Sequence, residues 1–482
     1  MVSFSSCGTK KTEQSESSSE AVSEDNGFGD DFFDFGGDGA TEAEQNSGGA
    51  SAAQQSGGGG GAGGASAGTK TSTGSGVAGN KSITVTLATF WKNEYEAPAG
   101  TDPYCDLFTK AFNELKKSGV KVVIKSYDPN TAIDSVTKSV MAGDQPFDIF
   151  ETSLHVARNL ALNGMLYDQS TIKSINLNSE NFSDNKATIE AFTYKNKVYG
   201  SSFLYPHGSF IGVFYNKTLL SKYNQTDPYQ MYKDGTWTFD NYAKMADNMT
   251  IDTDNDGKPN IWGTYGTFMV GEALTANAGG TVIRSNGKYE VAMTSEAGIE
   301  GMNWVRKMIH EDKSLCTNGM NGASDAFAAG QSAFFPVLMY YSMVFGNNMK
   351  DEFGVVPIPK GYRQSTYVTG TYDARPFVFP KNLADPEAVG KVYSEMSKLC
   401  PMVRDVVFER YADTGINKDG MQVYKDMAKY LRPEFIGGVD VSSFNADLEN
   451  SVLQVSGNPA TTMNNYKSKF QSAVDDYYAK AK

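Results

Sequence analysis

The strongest constraint on the fold is an alternation of strand-like and helix-like segments that begins at Ser82. Three segments rich in β-branched and aromatic residues are typical of strands, namely Ser82–Phe90, Val120–Tyr127 and Phe147–Phe150. Between them, apolar residues recur at helical spacing up to Gly119 and Gly143. This strand, helix, strand, helix, strand order predicts an α/β fold with a mainly parallel sheet, in which ligands lie beyond the carboxyl ends of the strands.

Composition argues against two other classes of protein. The chain has 482 residues, which exceeds one ordinary domain. Its longest apolar runs, such as Ala333–Met339, fall far short of the roughly 18 residues that a membrane-spanning helix needs. The net charge is -13 and no dense stripe of Lys and Arg is present, so we expect no nucleic-acid partner held by phosphate contacts.

Cysteine and histidine residues are few and scattered. They are Cys7, Cys105, Cys316, Cys400, His155, His207 and His310. Their spacing matches neither a disulfide framework nor a set of zinc ligands, and we therefore expect neither feature.

The first eighty residues differ in composition from the rest of the chain. Gly8–Asn80 consists largely of Ser, Glu, Gly, Gln and Ala, with 11 acidic and 3 basic residues. Such a segment cannot bury enough apolar surface to offset its ordering entropy, which predicts a disordered tether over residues 1–80. Phe4–Gly8 resembles the end of a bacterial lipoprotein signal, and this implies lipidation of Cys7 and membrane attachment through the lipid alone. The alternative is a cysteine without a role.

Six motifs follow one another over more than two hundred residues of the remaining chain. They are Ala142–Ile149 (AGDQPFDI), Asn196–Gly200 (NKVYG), Val213–Lys217 (VFYNK), Thr236–Asp240 (TWTFD), Ala326–Ala333 (AFAAGQSA) and Phe353–Pro359 (FGVVPIP). In this order they resemble the extracellular solute-binding proteins of bacterial ABC importers, specifically the carbohydrate-type, maltose-binding-like family 1. The resemblance extends from about Ile83 to the C-terminus.

The resemblance implies a two-lobed, periplasmic-binding-protein-like fold of type II, with a ligand cleft between the lobes. Carried over by order, the first lobe would comprise residues 81–202 and 373–415, and the second residues 203–372 and 416–482. The second would include a C-terminal helix with one apolar face, formed by Met463, Tyr466, Phe470, Val474 and Tyr477. Trp237 and Trp304 lie on helix-like segments and are predicted to be core residues.

A sugar ring presents an apolar face and an edge of hydroxyls, so a sugar site needs aromatic platforms and fixed polar side chains. Candidates in the first lobe and at the first crossing are Trp91, Asn93, Glu94, Glu151, Ser153, Tyr205 and His207. Candidates in the second lobe and at the second crossing are Phe268, Tyr340, Tyr341, Tyr372, Asp373 and Arg375. The resemblance places Tyr340 where maltose-type members carry a stacking Trp, whereas their acidic residue before Gly-Gly has no match at Thr267. For each aromatic residue the alternative is a role in the core.

An acidic loop is the strongest local chemical motif. Asp252, Asp254 and Asp256 alternate ahead of a glycine, and carboxylate oxygens so arranged suit Ca²⁺. The carbonyl of Lys258 and the side chain of Asn260 would supply further ligands. The twelfth position is Gly263, where an EF-hand carries a bidentate Glu, so the loop is incomplete. The loop predicts a structural calcium site, with an Asx-rich surface turn as the alternative.

Together these observations predict a lipid-anchored receptor on the extracellular face of the cell membrane. Closure of two lobes would capture a carbohydrate, specifically an oligosaccharide, for delivery to an ABC permease. We expect a monomer that performs no catalysis. One alternative is a glycan-active hydrolase, because Glu94, Glu151 and Asp373 could supply a pair of carboxylates. The others are a binding protein for another solute and one that serves a sensor kinase.

Overall fold

The computed structural model describes residues 83–480, apart from residues 99, 101, 207–209, 267, 286–287, 318–319, 340, 371–373 and 433–441. The predicted tether over residues 1–80 and the predicted lipidation site Cys7 lie outside the described residues. So do four candidate ligand-binding residues, His207, Tyr340, Tyr372 and Asp373.

The described residues form the following strands and helices. The strands are β1 (Ile83–Thr89), β2 (Val120–Ser126), β3 (Ile149–Glu151), β4 (Thr193–Tyr194), β5 (Lys197–Val198), β6 (Ile211–Asn216), β7 (Trp262–Tyr265), β8 (Val282–Ser285), β9 (Lys288–Val291), β10 (Leu315–Cys316), β11 (Ser332–Leu338), β12 (Phe353–Pro357), β13 (Thr369–Gly370), β14 (Phe377–Val378) and β15 (Leu431–Arg432). The helices are α1 (Asn93–Glu96), α2 (Pro103–Lys117), α3 (Ala132–Met141), α4 (Leu154–Leu162), α5 (Lys186–Ala191), α6 (Lys217–Lys222), α7 (Pro228–Lys233), α8 (Phe239–Asn248), α9 (Phe268–Ala278), α10 (Glu296–His310), α11 (Met320–Ala328), α12 (Tyr341–Asn348), α13 (Pro386–Ser397), α14 (Cys400–Ala412), α15 (Lys418–Met427), α16 (Ser442–Leu453) and α17 (Pro459–Lys480).

The first sheet has the strand order β14-β3-β1-β2. Strand β1 pairs in parallel with β2 and β3, and β14 pairs antiparallel with β3. The predicted alternation of strands and helices is therefore confirmed from β1 to β3. Helix α2 ends at Lys117, and the chain turns at Gly119, where a φ of 82° favours glycine.

The second sheet is mixed, with the order β10-β7-β11-β6-β12. Strands β6, β11 and β12 are buried along their whole length, because helices and loops cover both faces. Two tryptophans pack in this half of the molecule, as predicted. Trp237 is fully buried and its indole N–H donates to the carbonyl of Pro357 at 2.7 Å. Trp304 stacks on Phe239 with ring centroids 4.0 Å apart. We call the two sheets, with the helices packed on them, the first and second lobes.

Two of the segments that run between the sheets are tied together. Phe377 N donates to Ser201 O at 2.7 Å, and Ser201 N donates to Phe377 O at 3.2 Å. The side-chain amide of Gln169 donates to the same Phe377 carbonyl at 2.7 Å. A third connection leads from α14, which packs on α2, to α15, which packs on β12. The lobe boundaries after residues 202, 372 and 415 stay predictions.

The C-terminal helix α17 packs in the second lobe against α10 and α16. Met463, Phe470 and Val474 are buried on one face, as the apolar pattern predicts. Across the part of the chain that is described, no helix is both long enough and apolar enough to cross a membrane.

Candidate functional site

Three strand ends meet at one edge of the first sheet. Thr89 at the end of β1 is paired in register with Glu151 at the end of β3. Phe377 at the start of antiparallel β14 is paired with the same Glu151. The residues that follow β1, follow β3 and precede β14 therefore lie together at the edge where α/β sheets bind ligands.

Glu151 is a fully buried carboxyl at the centre of this edge. Its Oε2 accepts hydrogen bonds from the Thr89 hydroxyl at 2.7 Å and the Tyr95 hydroxyl at 2.9 Å. Burial raises the pKa of Glu151 to about 7, and the negative charge of Glu94 acts in the same direction. The positive charge of Arg375 and the two hydrogen bonds oppose this rise in pKa. Glu151 can therefore change protonation state near neutral pH.

Arg375 links the acidic residues to an aromatic ring. Its Nη1 lies 2.7 Å from Glu94 Oε2 and 3.7 Å from Glu151 Oε1. The guanidinium carbon lies 3.9 Å from the centroid of the Trp91 ring, which is a cation–π contact. The Trp91 backbone N–H donates to the Thr89 hydroxyl at 2.9 Å, which fixes the loop after β1. We call Trp91, Glu94, Glu151 and Arg375 the Trp91 site.

The structure thus brings together four of the predicted site residues. Asn93 is exposed on the short helix α1, which also carries Glu94. Ser153 caps α4, and its hydroxyl accepts from Val156 N at 3.4 Å. Thr89 and Tyr95 were missed, although both hold Glu151. The signal for Tyr95 is its position directly after Glu94, whereas no local signal marks Thr89, which meets Glu151 through the strand register.

Tyr205, predicted as a ligand platform, lies in the core in this structure. It is 2% exposed and its hydroxyl donates to the carbonyl of Tyr424 at 2.8 Å. Its ring packs against Phe210, which directly precedes β6, and against Phe408 of α14, at centroid distances of 5.7 and 5.0 Å. In this conformation Tyr205 joins the connecting segments and does not offer a face to a ligand.

The second lobe contributes two half-buried aromatic residues from the predicted set, Phe268 and Tyr341. The Tyr341 ring contacts Phe335 and Phe345 at centroid distances of 6.1 and 6.0 Å. The roles of Phe268 and Tyr341 as ligand platforms stay predictions.

A second buried carboxyl was not predicted. Glu272 on α9 is fully buried, and its Oε2 accepts from the Thr369 hydroxyl at 3.4 Å. The sequence signal is a single charged residue within an otherwise uncharged, mostly apolar helix, Phe268–Ala278.

In the acidic loop, the carboxylates of Asp252, Asp254 and Asp256 lie within 4.8 Å of one another. Backbone N–H groups already donate to them: Gly257 N to Asp252 Oδ2 at 2.8 Å and Lys258 N to Asp256 Oδ1 at 2.8 Å. The bond from Gly257 lowers the pKa of Asp252.

The donor set of this loop is compatible with Ca²⁺ because it consists of carboxylate oxygens. It is not an EF-hand, since a Cβ at Gly263 would lie 1.9 Å from the Ala246 carbonyl oxygen and leaves no room for Glu. The calcium site therefore stays a prediction, and the hydrogen bonds within the loop equally fit a surface turn.

This chain is similar to known proteins in its sequence family and in its fold. The family model described as "Bacterial extracellular solute-binding protein" matches residues 108–393, more than half of the chain. No curated protein sequence matches the chain significantly.

Solved structures of similar fold cover most of the chain. M. tuberculosis UspC is 19% identical, with a TM-score of 0.61 over 81% of this chain and 100% of that chain. Lmo0181 from Listeria monocytogenes, an ABC substrate-binding protein in complex with cycloalternan, is 16% identical, with a TM-score of 0.54 over 82% and 100%. The galacto-N-biose/lacto-N-biose I-binding protein from Bifidobacterium longum is 13% identical, with a TM-score of 0.58 over 83% and 99%. The family match and the two α/β lobes lead to one conclusion: this chain belongs to the bacterial extracellular solute-binding proteins.

Proposed function

We propose that this protein captures a carbohydrate, specifically an uncharged oligosaccharide, and delivers it to the permease of an ABC importer. The observation that carries the proposal is the Trp91 site, where an aromatic ring, two carboxyls and a guanidinium meet at a strand-end edge. Proteins of similar fold are described in complex with cycloalternan, lacto-N-biose and maltotetraose, which supports this ligand class.

The chemistry of the Trp91 site suits hydroxyl groups. The partly exposed carboxylate of Glu94 can accept hydrogen bonds from sugar hydroxyls. The guanidinium of Arg375, which the fully buried Glu151 helps to hold, can donate to them in a fixed plane. Trp91 supplies a flat apolar surface for the C–H face of a ring. Arg375 already has two acidic neighbours, so the site holds no excess of positive charge that would favour an anionic ligand.

Closure of the two lobes would be the binding mechanism. A ligand that contacts both lobes in the closed form shifts the equilibrium toward that form. The permease would then recognise the surface that the closed lobes present together. The alternative receptor role, in which the partner is a sensor kinase, uses the same binding step.

We further propose that no bond of the ligand is broken. A hydrolase needs one carboxyl as acid and another as nucleophile or base. Here Glu151 is fully buried and Glu94 is paired with the Arg375 guanidinium at 2.7 Å, which favours a structural carboxyl and a fixed hydrogen-bond acceptor over an acid and a nucleophile. Incubation with an oligosaccharide panel should release no reducing ends, and release that is lost in E151Q would contradict this proposal.

The binding proposal is tested by calorimetric titration with cycloalternan, lacto-N-biose and maltotetraose. We expect at least one to bind, with W91A weakening it tenfold or more because the stacking surface is lost. Y362A is a matched control, since Tyr362 is a 47% exposed aromatic residue on the second lobe, packed against Phe239. Small-angle scattering should show compaction on saturation. Equal affinities for W91A and wild type would contradict a role for the Trp91 site.

Two proposals concern the rest of the chain. Cys7 would carry a lipid that anchors a monomer to the extracellular face of the membrane, with residues 1–80 as its tether. The acidic loop of the second lobe would bind Ca²⁺ in a structural role, through Asp252, Asp254, Asp256, the Lys258 carbonyl and Asn260. The closeness of the three carboxylates supports the latter proposal.

A further inference from the structure

A cavity of about 450 Å³ shares no lining residue with the Trp91 site. Leu177, Phe182 and Ile189 supply its apolar surface, and Tyr289 forms an aromatic wall. Asn178, Lys186 and Glu190 stand on its polar side. We call it the Tyr289 pocket.

One side of the Tyr289 pocket is built on the first lobe. The ring of Phe182 packs on Tyr393 of α13 with centroids 5.9 Å apart. Two residues further along, Asp184 pairs with Arg404 of α14 at 3.2 Å. These contacts fix the segment that carries most of the lining to helices of the first lobe.

The opposite wall is built on the second lobe. The Tyr289 ring stacks on Tyr478 of α17, with centroids 3.4 Å apart and planes within 3°. The side chain of Gln471, also on α17, accepts from Val291 N at 3.1 Å and donates to Tyr289 O at 2.9 Å. The Tyr289 hydroxyl reaches across to the Thr193 carbonyl at 3.4 Å. The aromatic wall is thus held in place before any ligand arrives, which lowers the entropic cost of binding.

The lining identifies a class of ligand. A half-buried aromatic wall and aliphatic side chains suit an apolar face, whereas an amide, hydroxyls and two charged groups suit a polar edge. Lys186 and Glu190 have opposite charges, so the lining favours neither an anion nor a cation. The volume falls in the range of roughly 300–1,000 Å³ that is usual for small-molecule sites. A compact, uncharged ring with one apolar face and several hydroxyls meets these requirements.

We propose that the Tyr289 pocket is a second binding site, which takes one uncharged sugar ring between the two lobes. The lining shares no residue with the Trp91 site, so the proposal does not rest on the ligand proposed there. A single ring buries little surface, so the dissociation constant is expected on the order of 1 mM.

The test is a titration of full-length protein, with labelled Ile and Leu methyl groups, by nuclear magnetic resonance. The probes are methyl α-glucopyranoside, methyl β-galactopyranoside and methyl N-acetyl-β-glucosaminide. We expect at least one to shift the Leu177 and Ile189 methyl signals saturably. W91A should leave this titration unchanged, which separates the Tyr289 pocket from failure or success at the Trp91 site.

Two variants and a control test whether the methyl shifts arise from binding in the Tyr289 pocket. N178A removes a polar group from an exposed position that is compatible with folding, and should weaken the pocket titration about threefold or more. Ile189→Trp fills the cavity and should abolish it, as read from the Leu177 methyl. E180A changes a neighbouring exposed residue outside the lining and should have no effect. The proposal is overturned if no probe shifts these methyls, or if N178A and E180A titrate alike.

Discussion

Two groups of carboxyls lie in opposite environments in this molecule. Glu151 in the first lobe is fully buried, and burial raises its pKa to about 7. Asp252 in the second lobe lies in an exposed loop, and hydrogen bonds from backbone N–H groups, chiefly Gly257, lower its pKa. Desolvation therefore governs the first group and local hydrogen bonding the second. Acidic residues that look alike in a sequence differ in charge at neutral pH because of these surroundings.

The largest expected effect comes from removing the counter-ion of Glu151. R375A leaves a buried carboxylate without a cation, and should reduce the free energy of unfolding by about 3–5 kcal/mol at pH 8. The loss should be smaller at pH 5, where Glu151 is protonated and needs no counter-ion. Urea unfolding at both pH values measures it. R363A is the control, since the Arg363–Glu300 pair at 2.9 Å is largely exposed and should contribute much less to stability. Equal losses of unfolding free energy for R375A and R363A would contradict the special role of a buried counter-ion.

The second prediction concerns the pH dependence of wild-type stability. Because the Glu151 pKa is higher in the folded than in the unfolded state, folding takes up a proton between about pH 4.5 and 7. The stabilisation is present below this window and is lost as the pH rises through it, by an amount on the order of 3 kcal/mol. E151Q cannot titrate, so its stability profile should be flatter than that of wild type.

D252N is the matched control for this profile. The Asp252 pKa is lowered, so its stabilisation is present above the unfolded value of 3.8 and is lost only as the pH falls below it. D252N and wild type should therefore run parallel from pH 5 to 8. Parallel curves for E151Q and wild type would contradict the buried, shifted carboxyl.

A third prediction concerns the hydrogen bond from the Thr89 hydroxyl to Glu151. T89V removes one hydrogen bond to the carboxyl and should destabilise the protein by about 2 kcal/mol at pH 8. The same change at Thr84, which is exposed on strand β1, should stay within about 0.5 kcal/mol. Thermal unfolding of both variants provides the measurement, and a smaller effect at Thr89 than at Thr84 would count against the hydrogen bond.

The smallest expected effect belongs to the acidic loop. Calcium at ten times its dissociation constant would stabilise the folded state by about 1.4 kcal/mol relative to EDTA. D256N should reduce this gain, and magnesium should not reproduce it in full, because Mg²⁺ requires stricter octahedral geometry. Identical melting temperatures in calcium and in EDTA would leave the loop as a surface turn.

Features that depend on residues close together in the chain could be predicted from the sequence. Helix α2 and strands β1 to β3 follow from local apolar spacing and from the glycines that end helices. Trp91, Glu94 and Glu151 were predicted because loops at strand ends bind ligands in such folds.

The remaining features depend on distant parts of the chain. Thr89 meets Glu151 through the register of two strands, 62 residues apart in the sequence. The burial of Tyr205 could not be predicted, because the sequence of an aromatic residue and its neighbours does not reveal which way its ring faces. Its neighbours Phe408 and Tyr424 follow about two hundred residues later. Periodicity carries no information about such contacts.

The late position of β14 has a consequence for biosynthesis. The first sheet takes its last strand from Phe377–Val378, so residues 83–202 alone lack the edge partner of β3. Until that strand emerges, Glu151 also lacks Arg375, which is 224 positions away. High sequence separation of this kind slows folding, because the intervening loop must close before the contacts form. We expect the first lobe to remain incompletely folded until most of the chain has been synthesised. The polypeptide would then still be unfolded when it is exported.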